Sequence, residues 1–171
     1  MFKFCPQCAS PDIRFERNRV FRCPQCGFVY YHNVATATAC IIENGREIAF
    51  LVRAKEPGFG KLDLPGGFVD PDEGAVEGLR RECREELGWE TGENLSFFAS
   101  FPNTYPYKNI VYKTCDLCFS VFAPDLKAED FNIDLSENSA VRFVKFSDIN
   151  FDDIAFDSLK RAVKSFLEKK I

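Results

Sequence analysis

The stretch from Gly66 to Trp89 constrains this chain more than any other part of its 171 residues. On a helix, Glu82, Glu85 and Glu86 would stand at positions i, i+3 and i+4, so that three carboxylates crowd one face. Like charges at this spacing cost a bare helix about 0.2–0.5 kcal/mol per pair. A hard cation that prefers oxygen ligands, Mg²⁺ or Mn²⁺, would turn that cost into a binding site.

The loop before this helix supports a metal site over an ordinary salt-bridged surface helix. Gly66 and Gly67 are adjacent, and a double glycine lets backbone approach a metal or a phosphate closely. Glu73 and Glu77 precede Arg81 at four-residue steps, so the arginine has acidic neighbours that can hold it.

A second motif lies near the start of the chain. Cys5 and Cys8 form one C-x2-C knuckle, and Cys23 and Cys26 form another after fourteen intervening residues. Four thiolates so arranged complete a closed tetrahedral zinc site, and the ion would supply folding energy to a segment with few aliphatic residues. The alternative, two disulfides in a secreted module, is disfavoured because no signal peptide is recognisable at the start of the sequence.

The remaining cysteines and the single histidine are predicted to play smaller parts. Cys115 and Cys118 fall in an apolar strand, where side chains three apart face opposite sides, and are predicted to be packing residues rather than ligands. Cys40 and Cys83 are predicted to lie in the core. His32, which follows two tyrosines, makes a histidine general base improbable unless it is this one.

Composition and charge narrow the class of protein. The net charge is −4, divided into +3 over residues 1–33 and −7 over the remainder, which argues against a protein held to nucleic acid by a global basic field. No apolar run approaches the ~20 residues that span a bilayer. We therefore expect a soluble, cytoplasmic protein without a membrane partner.

Residues 34–171 show a mixed α/β pattern. Apolar runs predict strands, and two amphipathic segments predict helices, one from about Asp70 to Gly88 and one starting near Asp152. The predicted strands are 34–42, 48–53, 95–101, 110–122 and 141–146.

The spacing of Gly67, Glu73, Arg81-Glu82 and Glu85 through Gly88 resembles the complete 23-residue box of the Nudix hydrolase superfamily. One position departs from the usual pattern, since Cys83 stands where an aliphatic residue is common. The four-cysteine segment before it is similar in layout to the zinc-ribbon NADH pyrophosphatases. The resemblance implies a Nudix α/β/α sandwich with a mixed sheet over residues 34–171, preceded by a small zinc ribbon over 1–33.

The resemblance also implies roles. Glu82, Glu85 and Glu86, with the Gly66 carbonyl, would bind Mg²⁺ or Mn²⁺, while Arg81 and Glu73 would orient the helix and loop. The reaction would be attack of water on a nucleoside diphosphate linked to another group, which makes a nucleotide-type small molecule the expected substrate. In many Nudix enzymes a glutamate outside the box assists, and Glu137 is the nearest acid in the corresponding region.

The substrate stays open at this point. NADH pyrophosphatases carry a second signature, Ser-Gln-Pro-Trp-Pro-Phe-Pro-x-Ser, whereas residues 100–107 keep a serine, two prolines and three aromatics but neither the glutamine nor the tryptophan. Phe101, Tyr105 and Tyr107 could stack on a base, or could simply pack in a chain with 19 phenylalanines.

Three functions therefore remain. They are a hydrolase of ADP-ribose, nucleotide sugars or dinucleotides; an NAD(H) or NAD-capped RNA pyrophosphatase; and a non-catalytic nucleotide sensor, which the intact set of glutamates disfavours. A ribbon that contacts nucleic acid is compatible with Arg14, Arg17, Arg19 and Arg22, but a purely structural ribbon is favoured. A homodimer is compatible with the resemblance and is not required by the sequence.

Overall fold

The computed structural model describes residues 2–170. The chain divides into two compact units, Met1–Val34 and Ala35–Ile171. Each unit builds its core from different residues.

The N-terminal unit is a small antiparallel sheet with an aromatic interior. Its strands are β1 (Arg14–Glu16), β2 (Val20–Arg22) and β3 (Val29–Tyr31), in that order across the sheet. The turn between β1 and β2, in which the Arg19 N–H donates to the Glu16 carbonyl, places its two central residues Arg17 and Asn18 at φ values of 52° and 53°, as a type I′ turn requires. Phe15 and Phe21 stack with ring centroids 4.2 Å apart, which supplies packing that aliphatic residues provide elsewhere.

Over residues 35–170, the C-terminal unit contains six strands and two α-helices. The strands are β4 (Ala35–Glu43), β5 (Glu47–Arg53), β6 (Leu62–Asp63), β7 (Ser96–Tyr107), β8 (Ile110–Phe122) and β9 (Asn138–Lys145), and the helices are α1 (Ala75–Leu87) and α2 (Asp157–Glu168). Strand order is β6-β5-β4-β8-β7, and β9 pairs with β5. Because β4 and β8 run parallel while the other pairs are antiparallel, the sheet is mixed, as expected.

Alternation along the central strands creates two separate cores. On β4, Ile41 faces the core that includes α2, and Cys40 faces the core that includes α1. Both residues are fully buried, since strand side chains point alternately to the two faces of a sheet. Helices therefore cover both faces, and the predicted α/β/α sandwich is confirmed.

Helix α1 begins later than the sequence pattern predicted. Asp72 adopts a left-handed φ of 71°, so the segment from Asp70 forms a turn, and the helix is capped by Gly74, whose N–H donates to Glu77 at 2.7 Å. Its end is confirmed, because Gly88 takes the left-handed conformation typical of a helix C-terminus.

The other boundaries differ in similar ways. Helix α2 starts at Asp157 rather than near Asp152, because residues 151–153 form a short 3-10 turn. Strand β7 continues to Tyr107, beyond its predicted end at residue 101. The two-residue strand β6 was not predicted, since it is too short to show a pattern.

The four cysteines outside the knuckles lie where they were predicted. Cys40, Cys83 and Cys118 are buried, and Cys115, on the opposite face of β8 from Cys118, is half-buried. None of the helices in residues 2–170 combines the length and apolarity needed to cross a membrane.

Candidate functional site

The loop that carries the double glycine runs along β4 like an extra strand. The Cys40 N–H donates to the Pro65 carbonyl and the Thr38 N–H to the Gly67 carbonyl, each at 2.8 Å. Gly66 between them has a φ of 144°, and a Cβ at this residue would collide with the Thr38 backbone carbonyl. Only glycine fits this approach.

Gly67 brings the same loop against helix α1. A Cβ on Gly67 would lie 2.6 Å from the carboxylate of Glu82. The loop backbone therefore lies directly against this carboxylate. A small ligand bound to the Glu82 carboxylate would also contact the backbone of the loop.

Glu86 is held from two directions. Its carboxylate accepts from the Gly66 N–H at 2.9 Å and from the Asn138 side-chain amide at 3.3 Å. Burial raises the pKa of Glu86 to about 8, against the opposing hydrogen bond from Gly66. A carboxyl that is costly to ionise without a cation is suited to bind one.

Arg81 ties the other carboxylates together. Its guanidinium donates to Glu73 at 2.9 Å, to Glu82 at 2.8 Å, to Glu85 at 3.0 Å and to the Phe68 carbonyl at 3.0 Å. The bond from Arg81 lowers the pKa of Glu73, whereas burial raises the pKa of Glu82 although Arg81 opposes it. Arg81 thus connects the helix to the loop.

The three box glutamates share one helix face without meeting at a point. Within residues 2–170, one group of three or more histidine, cysteine, aspartate or glutamate side chains has all its potential ligand atoms within 4.8 Å of one another, and it consists of the four knuckle cysteines. Glu82 and Glu85 turn toward Arg81, and Glu86 turns toward Gly66. The donor set of hard oxygens beside a bare backbone nevertheless fits Mg²⁺ or Mn²⁺.

Glu137 lies at the edge of this site and Asn138 lies inside it. Glu137 is exposed and pairs with Lys55 at 2.7 Å, whereas Asn138 is 3% exposed and reaches Glu86. The sequence reasoning missed Asn138. The sequence feature that could have indicated it is its position, since Asn138 directly follows Glu137 and is the first residue of strand β9.

The predicted substrate-binding aromatics follow one face of β7, because alternate residues share a face. Tyr105 contacts the most neighbours, with ring centroids 5.8 Å from Phe68 and 6.3 Å from Tyr107. Phe101 lies under the Arg161 guanidinium, 4.6 Å from its ring centroid. Since the Phe68 carbonyl also binds Arg81, these aromatics adjoin the carboxylate helix.

A partly buried ion pair beside Tyr105 was also missed. Arg53 pairs with Asp63 and donates to the Pro57 carbonyl at 2.6 Å, and its guanidinium lies over the Phe156 ring, 5.0 Å from the centroid. Burial raises the pKa of Asp63 although Arg53 opposes it. Arg53 and Asp63 are ten residues apart at no characteristic spacing, and the pairing of β5 with β6 brings them together.

The knuckle cysteines form the second site, within the N-terminal unit. Cys5 and Cys26 have their sulfurs 3.6 Å apart, and Cys8 and Cys23 have theirs 3.7 Å apart. Sulfurs bound tetrahedrally to zinc at ≈ 2.3 Å are separated by about 3.8 Å. Burial opposes ionisation, but backbone N–H groups lower the pKa of Cys23 to about 7. The arrangement therefore fits one zinc ion.

Comparison with known families identifies the larger unit. The NUDIX domain family matches residues 33–165, so the chain belongs to the Nudix family, and the resemblance of the box is confirmed. The proteins named "NAD-capped RNA hydrolase NudC" from Chromobacterium violaceum and Pseudomonas aeruginosa are 34% and 30% identical over 108 and 107 residues, each 61% of this chain. Those matches cover 38% and 37% of the relatives' own lengths.

Solved structures agree on the fold. A NUDIX hydrolase from Nitrosomonas europaea is 28% identical with a TM-score of 0.64, and the match covers 98% of this chain and 93% of that one. The NUDIX domain of Shewanella oneidensis NrtR, solved with ADP ribose, has a TM-score of 0.65 at 16% identity, over 87% of this chain and 94% of that one. The second likeness concerns the fold alone.

Proposed function

We propose that the chain is a divalent-metal-dependent pyrophosphohydrolase that cleaves the diphosphate of a nucleoside diphosphate linked to another group. ADP-ribose, nucleotide sugars and dinucleotides are the substrates of this type. The observation that carries the proposal is the placement of Glu82, Glu85 and Glu86 on one face of α1, with Glu82 and Glu86 against the glycine loop.

The chain's own residues would divide the work as follows. Glu82, Glu85, Glu86 and the Gly66 carbonyl would hold Mg²⁺ or Mn²⁺, while Arg81 and Glu73 keep the helix in register with the loop. When bound, the metal supplies neutralisation of phosphate charge and activation of the attacking water. The hydrogen bond from Gly66 presents Glu86 toward the loop, where the diphosphate would lie.

Glu137 is proposed as a participant that would orient the attacking water. It neighbours Asn138, which holds Glu86, and its exposed carboxylate can turn away from Lys55, since exposed ion pairs are worth only about 0–1 kcal/mol. Tyr105, with Phe101 and Tyr107 on the same strand face, would contact the nucleoside.

An NAD(H) or NAD-capped RNA pyrophosphatase is the second candidate. The names of the curated relatives favour it, and the altered segment 100–107 weakens it. A nucleotide-sensing module without catalysis is the third candidate, and the same substrate panel tests all three.

The N-terminal unit is proposed to be a zinc ribbon, with Cys5, Cys8, Cys23 and Cys26 as the ligands of one structural ion. Two of its arginines are already paired with acids, Arg14 with Asp12 and Arg22 with Glu16, which favours a structural ribbon over a nucleic-acid contact. The boundary near residue 34, a homodimer and a cytoplasmic location stay predictions.

The test is hydrolysis of a substrate panel with Mg²⁺ or Mn²⁺. The panel contains ADP-ribose, NADH, NAD, nucleotide sugars, dinucleoside polyphosphates, nucleoside triphosphates and NAD-capped RNA. We expect turnover of at least one diphosphate-linked substrate, and its loss in Glu85→Gln with the fold retained.

Glu93→Gln is the matched control, because Glu93 is exposed and lies after the helix, and it should keep full activity. Full activity in Glu85→Gln would contradict the metal assignment. Tight binding of one nucleotide with no turnover of any would favour the sensor.

A further inference from the structure

A polar pair on strand β8 plays no part in the mechanism above. Thr114 is 3% exposed and Asp116 is 6% exposed. The Thr114 hydroxyl donates to Asp116 Oδ1 at 2.5 Å. A carboxylate kept this far from water needs donors to offset its lost hydration.

The strand register places this pair on the same sheet face as the aromatics of β7. Tyr112, Thr114 and Asp116 alternate along β8 and so share a face. Tyr112 lies opposite Tyr105, and Asp116 lies opposite Phe101. Any ligand in contact with Tyr105 therefore lies on the side of the sheet where the Asp116 carboxylate is found.

Contacts around Tyr105 continue this surface. The ring centroid of Phe68 is 5.8 Å from those of Tyr105 and Tyr112, and Phe156 is 5.5 Å from Tyr105. We call Phe68, Tyr105, Tyr112 and Phe156 the Tyr105 cluster.

The strand next to Asp116 carries small side chains on the same face of the sheet. Strand β4 lies parallel to β8, with Ala37 opposite Asp116 and Ala35 opposite Thr114. Ala37 also forms a backbone bridge with Phe68. Because both residues are alanines, β4 places no long side chain beside the Thr114–Asp116 pair.

Arg53, a cation near this pair, already has a carboxylate partner. Arg53 forms an ion pair with Asp63, and the Asp116 carboxylate lies close enough to contribute to the raised pKa of Asp63, after the larger effect of burial. Within residues 2–170, the described ion pairs do not include Asp116. In the part of the chain that the structure describes, the Thr114 hydroxyl is the one side-chain donor to the Asp116 carboxylate.

We infer that Asp116 selects the heterocycle of the substrate by accepting a hydrogen bond from an exocyclic –NH₂ group while the ring lies against the Tyr105 cluster. This rests on the proposed function and assigns one end of its substrate. Adenine offers such a donor in its 6-amino group, and nicotinamide offers one in its carboxamide. Aromatic faces accept planar rings, and the carboxylate supplies the discrimination between them.

Two matched substrate pairs test the inference and separate the two sources. Nicotinamide hypoxanthine dinucleotide replaces the adenine amine of NAD with a carbonyl oxygen. Nicotinic acid adenine dinucleotide replaces the carboxamide with a carboxylate. In one pair, wild-type protein should prefer NAD in kcat/KM by roughly 10- to 100-fold, the value of a hydrogen bond to a charged group. The pair that responds identifies the ring.

Asp116→Asn should reduce or invert that preference, because an amide can donate to the oxygen of the analogue. Asp125→Asn, at an exposed position, is the matched control and should keep the wild-type ratio. Thr114→Val, which releases the carboxylate without removing it, should lower the preference without inverting it.

A wild-type ratio near one in both pairs would overturn the inference, and so would a ratio unchanged by Asp116→Asn. The wild-type ratio needs no variant, so it decides even if Asp116→Asn does not fold. If none of these dinucleotides is hydrolysed, the same ratios are measured as dissociation constants on wild-type protein. The proposed function fails separately, and only if no substrate of the whole panel is hydrolysed.

Discussion

The two candidate metal sites of this chain are built in opposite ways. In the N-terminal unit, whose interior is small and aromatic, four sulfurs converge to within 4.8 Å of one another. On helix α1, three carboxylates share a face but are drawn toward Arg81 or Gly66 instead of toward one point. One site is closed and the other is open.

The difference follows from side-chain length and from the surrounding core. A cysteine sulfur is one bond from Cβ, so the two knuckle backbones fix its position, as shown by the bond from the Cys5 N–H to Ser10 and from the Cys23 N–H to Phe28. Glutamates are long and charged, and here Arg81 binds Glu82 and Glu85 while the Gly66 N–H binds Glu86, so the three carboxylates do not converge. The closed site can only hold an ion, whereas the open one has room for substrate.

The comparison predicts its largest effect at the cysteines. Cys23→Ser should abolish zinc binding and unfold residues 1–34, because structural zinc contributes an apparent ≈ 10–16 kcal/mol in small zinc modules. Elemental analysis should give about one zinc per wild-type chain and none per variant. Limited proteolysis should then remove the N-terminal segment.

Cys115→Ser is the control for this prediction, since Cys115 is a half-buried strand residue, and it should keep the zinc. A wild-type zinc content near zero in undamaged protein would refute the closed site.

The next effect is on chemistry, with the fold kept. Glu86→Gln should lower kcat by on the order of 10³-fold, because a metal supplies several kcal/mol of transition-state stabilisation. Thermal unfolding without added metal should show an intact C-terminal unit, since the two cores that flank the sheet are untouched. Loss of the fold together with activity would show that this site, too, is structural.

Much of this contrast was accessible from the sequence, because both motifs are local. The knuckle spacing predicts a four-sulfur cluster, and helical periodicity places Glu82, Glu85 and Glu86 on one face. The end of α1 at Gly88 was also predicted, since glycine is the usual residue there.

Long-range pairings were not accessible. Asn138 reaches Glu86 only because β9 pairs with β5, and Arg53 meets Asp63 only because β5 pairs with β6. Asn138 and Glu86 are 52 residues apart, Arg53 and Asp63 are ten apart, and neither pair has a characteristic spacing. The start of α1 was misplaced because the left-handed Asp72 delays a helix that the acidic residues appeared to begin.

A smaller effect is expected at Asn138, which tests whether the open site is positioned from outside the box. Asn138→Ala removes one of the two donors to Glu86, and loss of such a supporting contact typically costs about 10- to 100-fold in metal affinity or activity. The Mg²⁺ concentration for half-maximal activity should rise, and excess Mg²⁺ should restore part of kcat.

Ser139→Ala is the control, because the Ser139 hydroxyl donates to the Val52 carbonyl and not to a glutamate. An unchanged Mg²⁺ dependence in Asn138→Ala would show that Gly66 alone positions Glu86.

The last prediction concerns pH, and it tests whether Glu86 stays protonated in the open site when no metal is bound. The pKa of Glu86 is raised to about 8 from the ordinary value of 4.5. Without Mg²⁺ or Mn²⁺, its contribution to stability is complete below pH 4.5 and is lost as pH rises through 8, since the folded state binds the proton more tightly than the unfolded state. Wild-type Tm should therefore fall further than that of Glu86→Gln between pH 5 and 9. Both proteins keep zinc in this comparison, so the titration of the cysteines cancels.

Added Mg²⁺ should recover wild-type Tm at pH 9 and leave Glu86→Gln nearly unchanged, because the ionised carboxylate then has its cation. Parallel pH profiles for the two proteins would show that Glu86 is already ionised and paired without metal, and the open site would then resemble the closed one.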